Sequence, residues 1–149
     1  MVRNTAREIA IHLSYQLNFT RENPEELLKA YLSPERFSEL AGEDETYREP
    51  PGPKQCQYIT RLVTGVAGHR AELDGYIEKY AVGWKFARIP MVAAAIMRVA
   101  MYEILYMDDI PNGVAINEAV ELAKKYESDE VVKFINGILG TFVQKEAIH

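Results

Sequence analysis

Three histidines, one cysteine, four serines and many carboxylates are the side chains here that could do covalent, metal or acid–base chemistry. Their spacing argues against each. His12, His69 and His149 stand in no HxxxH or HExxH pattern, and Cys56 has no second cysteine, so a metal site and an internal disulfide are both unsupported. Ser14, Ser33, Ser38 and Ser128 lack the G-x-S-x-G elbow that exposes a hydrolase nucleophile. Cys56 follows the polar pair Lys54 and Gln55 and reads as an inert thiol, compatible with a reducing cytoplasm. In "INEAVELAKK", Glu118 and Glu121 fall on a solvent face, where Glu121 can pair with Lys124 or Lys125. The expectation is a protein with no catalytic residues, metal or cofactor.

Binding chemistry has more to build on. Asn117 flanks the apolar stripe Ile116, Ala119, Val120, Ala123, and Asn136 flanks Val132, Ile135, Leu139, Val143. Asparagine is a mediocre helix former, so each needs a reason to be there. The favoured reason is a hydrogen bond to a loop or neighbouring helix that fixes packing. The other is membership of a recognition surface, with Asn136 one turn from Lys133 and close to Phe134 and Gly137. Phe134 lies to one side of the inward stripe Ile135, Ile138, Leu139, Phe142. A cation beside a partly exposed aromatic attracts phosphate and stacks a base, the combination that holds single-stranded RNA. The competing reading makes Phe134 an edge residue of the core.

The charge pattern restricts where such a surface can be. Net charge is −5, and residues 35–49 hold six acids against Arg36 and Arg48. Residues 1–21 instead carry Arg3, Arg7 and Arg21 against Glu8 alone. An acidic chain does not attract RNA through its overall field, so an anion-binding face must be local.

The elements that would position these residues are helical. Ala6, Ile9, Ala10, Leu13 and Leu17 make one stripe. Asn23 and Ser33 are candidate N-caps with Pro24 and Pro34 at the first helical position, and Gly42 is a candidate stop. "EDETYREPPGPK", residues 43–54, has no apolar periodicity and is expected to be a mobile surface loop. From Gln55 a single long helix is predicted through Tyr80, with Gly65 and Gly68 permitting close packing at a cost of about 1 kcal/mol each. "GWKFARIP" is a corner, Pro90 opens an apolar helix to Met107, "DDIPNG" breaks it, and Ser128 or Asp129 caps the last helix.

The first residues are not a secretory signal, because Glu8 and His12 interrupt them. Ile89–Met107 is long enough to question as a membrane span, but Arg98 and Glu103 inside it would each cost about 2.5–3.5 kcal/mol near a bilayer centre. That stretch is placed instead as the central helix of a soluble core. With no alternation of period two, the 149 residues read as one compact all-α domain of about six to seven helices.

"AREIAIHLSYQ" (6–16), "GWKFARIP" (83–90), "AIMRVAMYEILYMDDIPNGVAINEAVELAKKY" (95–126) and "KFINGILG" (133–140) resemble the NusB family of transcription antitermination proteins, in order and over nearly the whole length. The likeness is weakest over residues 22–54. It implies a fold of two small packed helical bundles, no catalytic activity and a cytoplasmic setting. It also implies binding to single-stranded boxA-type RNA of nascent ribosomal RNA transcripts, jointly with the small-subunit ribosomal protein that acts as NusE, in an RNA polymerase antitermination complex. Some relatives form homodimers. Carried over by position, the RNA-binding residues are Arg3, Arg7, Lys133 and Phe134, joined by Asn136, and Tyr15 falls on the NusE-binding side.

The chain departs from that pattern in places. Asn4 and Thr5 stand where the family often has another arginine, and Ala93-Ala94 replaces an acid–arginine pair. Glu130 stands where relatives often carry aspartate. Fewer arginines mean fewer phosphate contacts, so weak RNA binding without the partner is expected. Two alternatives are a helical protein–protein adaptor without RNA contacts, and the RNA-recognition module of a ribosomal RNA cytosine methyltransferase. The latter needs a cofactor-binding domain, and with the chain ending at His149 no methyltransferase activity of its own is expected.

Overall fold

Proline and capping residues set the first helices. In the computed structural model, which describes residues 1–146, α1 spans Arg3–Gln16, α2 Pro24–Tyr31 and α3 Pro34–Ala41. The Glu26 backbone N–H donates to Asn23 Oδ1 at 2.8 Å, and the Asn23 amide donates back to Glu26 Oε1 at 2.9 Å. The first bond caps the helix, and the second, from the Asn23 side-chain amide, holds the capping side chain in place. Ser33 Oγ likewise accepts from the Arg36 N–H at 3.3 Å. Pro24 and Pro34 open their helices, where the missing N–H has no intrahelical role, and Gly42 caps the end of α3.

The described residues form two compact units, Met1–Ala67 and the residues from Gly68 onward. In the first, α1 is buried almost all round, through Ala6–Ile11 and again at Leu13 and Ser14. The segment expected to be a plain surface loop is anchored there. A 3-10 turn, Glu45–Tyr47, is capped by Asp44 Oδ1 accepting from the Thr46 N–H at 2.9 Å, and it buries Thr46 and Tyr47. Tyr47 packs beside Phe37, with ring centroids 5.4 Å apart, and its hydroxyl lies 2.9 Å from His12 Nδ1. Burial pushes the Tyr47 phenol well above its ordinary range. Cys56 is half-buried on α4, Pro53–Gly68, and its thiol is pushed up by burial, as befits an inert sulfur.

The long helix predicted from Gln55 to Tyr80 is two. It begins earlier, at Pro53, ends at Gly68, and restarts as α5, Arg70–Tyr80, after His69 leaves helical geometry at φ −112°, ψ 17°. Gly68 is therefore a terminus and not a packing notch: a Cβ built there would meet nothing within 4 Å.

The second unit is organised by α6, Met91–Tyr106, whose residues Ala93–Ile104 are all buried. It packs against α5, against α7 (Asn112–Tyr126) and against α8 (Asp129–Lys145). A helix apolar on every face belongs at a core centre or in a bilayer. Here Arg98 decides: its Nε donates to Asp74 Oδ1 of α5 at 2.6 Å, so the charge is paired inside the protein. No helix among the described residues is long and apolar enough to cross a membrane. Ser128 caps α8 by accepting from the Val131 N–H. Near its other end Glu146 accepts from Lys79 Nζ at 2.6 Å and from the Tyr80 hydroxyl, which hold its carboxyl below the usual range. In total, the described residues form eight α-helices and two 3-10 turns with no strand, so the all-α expectation holds and the expected helix count was low.

Candidate nucleic-acid interface

The last helix sorts its residues as its periodicity requires. Val131, Val132, Ile135, Ile138, Leu139 and Phe142 are buried, while Lys133, Asn136, Gly137 and Thr141 are exposed at three- and four-residue steps. Phe134 is half-buried between the two faces, and one side of its ring meets Trp84, with centroids 4.5 Å apart and planes at 40°. Lys133 and Asn136 therefore share the exposed face of α8, and Phe134 borders it on the side of Lys133 away from Asn136.

The asparagines do not do what packing would ask of them. Asn117 and Asn136 are both exposed, and neither hydrogen-bonds to another described residue, which overturns the reading that they tie elements together. Their stripes were correctly located, but a flanking position does not reveal whether a partner stands opposite. Gly137 and Gly140 add to the pattern. A Cβ at either would meet nothing within 4 Å, so no neighbour inside the protein requires these glycines. Glu121 behaves as expected, accepting from Lys124 Nζ at 2.9 Å.

In the first unit the two candidate arginines separate. Arg3 is exposed, with its guanidinium 4.9 Å from the centre of the Tyr58 ring. Arg7, expected beside it as an RNA contact, is only 3% exposed. Its Nη1 donates to Asn4 Oδ1 at 2.5 Å, and its guanidinium carbon sits 5.9 Å from the same tyrosine. The expectation is corrected by position: residues 7, 11 and 14 form a second buried line on α1, and an arginine's long stem can occupy it. Arg7 therefore braces Asn4 and the Tyr58 platform and does not present a free charge.

Tyr15 is half-exposed and meets the 63%-exposed Phe19 edge-on, with centroids 5.1 Å apart. Both line a cleft of about 610 Å³ with His12, Tyr31, Arg36 and Tyr47. The cleft is not legible in the sequence, because Tyr31 and Tyr47 reach it from segments with no periodic link to α1. Among the described residues no group of histidine, cysteine and carboxylate side chains could hold a metal ion, and His149 lies outside them.

The described residues define an all-α protein with amide, cation and aromatic groups on its surface, and comparison with known proteins shows which kind. The chain belongs to the NusB family, which it matches over residues 4–144. It is 43% identical over 144 residues to the transcription antitermination protein NusB of Acetivibrio thermocellus, covering 97% of this chain and 90% of that one. It is 40% identical to the protein of the same name from Ruminiclostridium cellulolyticum, over 93% and 86% of the two chains. Among solved structures it superposes on T. maritima NusB with a TM-score of 0.80 at 30% identity, covering 99% of this chain and 94% of that one. A crystal structure of antitermination factors NusB and NusE in complex with dsRNA gives 0.74 at 26% identity, with 95% and 96% covered. The family is one of antitermination factors and not of enzymes, in line with the missing catalytic spacing.

Proposed function

We propose that this chain is a cytoplasmic transcription antitermination factor that binds single-stranded boxA-type RNA of nascent ribosomal RNA transcripts. It acts with a NusE-type small-subunit ribosomal protein, so that RNA polymerase reads through terminators. The observation that carries this reading is the exposed face of α8, which presents Lys133 and the uncommitted amide of Asn136 and is bordered by the half-exposed ring of Phe134. Lys133 attracts a phosphate, Phe134 offers a ring edge and face to a base, and Asn136 supplies both a donor and an acceptor to a base edge. Gly137 and Gly140 leave the helix surface bare, which lets a strand approach closely.

Arg3 adds a further phosphate contact from α1, with Arg7 bracing the surface behind it. The NusE-type protein is assigned to the side of Tyr15, where the exposed Phe19 and the aromatic-lined cleft offer a contact surface. Of the candidate cations, Arg3 and Lys133 alone are exposed, so affinity without the partner is low, with a slope of log K against log salt of only about 1.4.

The test is Phe134→Ala, with RNA binding followed by anisotropy in the presence of the NusE-type protein. Loss of one stacked base costs about 1–3 kcal/mol, roughly 5- to 150-fold in Kd. Urea unfolding of the same variant checks that the platform persists. Unchanged affinity in a folded variant would remove Phe134 from the interface.

A further inference from the structure

We propose that the corner Gly83–Arg88 is part of the same RNA-binding face: Trp84 completes a stacking platform with Phe134, and Lys85 and Arg88 hold phosphates of the strand. This rests on the reading of α8 as an RNA surface and adds a second element to it. Trp84 is half-exposed and meets Phe134 at 4.5 Å with the planes tilted by 40°, so the pair forms an aromatic patch with open ring surface on which a base can be laid. The turn that aims Trp84 depends on Gly83, whose φ of +84° is a conformation that side-chain-bearing residues rarely adopt.

The charges around this pair are unusual for an acidic protein. No Asp or Glu occurs from Lys79 to Tyr102. Lys85 precedes the 3-10 turn Phe86–Arg88, and Arg88 ends it. The Arg88 N–H donates to the Lys85 carbonyl at 2.9 Å, so the turn keeps the two residues close in space, both within four residues of Trp84 in the chain. Lys85, Arg88 and Lys133 are all exposed, and none has an ion-pair partner among the described residues. Elsewhere Lys79, Arg98 and Lys124 are each paired with a carboxylate. Three uncommitted cations next in sequence to, or within four residues of, a tilted pair of aromatic rings suit a ligand that carries phosphates and flat bases together. An acidic peptide would meet the charges and leave the rings unused.

Trp84 is the only tryptophan, so intrinsic fluorescence reports on this corner alone. The full chain, with a tryptophan-free NusE-type partner, would be titrated with labelled boxA-type RNA of about 12 nucleotides. Tryptophan emission should be quenched in step with RNA anisotropy. The Lys85→Ala, Arg88→Ala double variant alters only exposed side chains and should fold normally. It should reduce the slope of log K against log salt by about 1.4, since each phosphate contact on a single strand carries about 0.7. RNA binding with neither quenching nor a changed slope would exclude the corner and leave the α8 reading intact. No binding of any RNA, with the partner bound, would overturn both.

Discussion

Phe142→Ala is expected to destabilise the unit built from α5 to α8 by about 3–5 kcal/mol, the range for removing a fully buried phenylalanine. Phe142 is the largest side chain with no solvent exposure. It meets Tyr76 edge-on with centroids 5.1 Å apart and Tyr80 at 6.5 Å. Truncation removes both aromatic contacts as well as the transfer free energy, and two tyrosines anchored on α5 cannot collapse freely into the gap. The reading is a lower urea midpoint with little change in the slope of unfolding. A loss below about 1 kcal/mol would mean that the site relaxes and Phe142 is not a keystone of this unit. RNA binding should weaken only as far as the folded fraction falls, because Phe142 faces away from the Lys133 flank.

Asp74→Ala should be nearly as damaging, for the opposite reason. Arg98 Nε sits 2.6 Å from Asp74 Oδ1, and the two side chains are 6% and 24% exposed. Deleting the carboxylate strands a guanidinium on the most apolar helix of the chain. Breaking such a pair typically costs 3–5 kcal/mol, and the partial exposure of Asp74 places this case at about 3 kcal/mol. Arg70, 3.6 Å away on the other carboxylate oxygen, loses a partner as well. The double variant Asp74→Ala, Arg98→Met should recover most of the loss, since it removes the guanidinium that the single variant strands. If single and double variants unfold at the same urea concentration, the penalty lies elsewhere than in the stranded charge.

Much of the architecture is readable before any coordinates, wherever local chemistry dictates it. Asn23-Pro24 and Ser33-Pro34 announce their helices because cap and proline act within a single turn. Arg98 and Glu103 keep α6 out of a bilayer through charge alone. The break at His69 is invisible because the apolar stripe continues at helical spacing on both sides, from Leu62 and Val66 to Leu73 and Ile77. Tyr47 was lost in an acidic stretch, since its burial depends on His12 and Phe37, partners distant in sequence. At the candidate interface, the exposure of Lys133 and Asn136 follows from the period of α8. The burial of Arg7 does not follow from that of α1, because both lines of that helix face inward. Trp84 carried no signal at all: its contact with Phe134 spans fifty residues of sequence.

RNA recognition by this family member rests on a few exposed basic residues, Arg3 and Lys133 with Lys85 and Arg88. The most direct measurement is binding of the intact chain, alone and with its NusE-type ribosomal protein, to a boxA-type RNA and a scrambled control over a salt series. Tight binding that favours boxA only when the partner is present, and weakens as salt rises, is the expected result. A partner that binds while neither RNA is preferred at any salt concentration would contradict it and leave the chain as a helical adaptor.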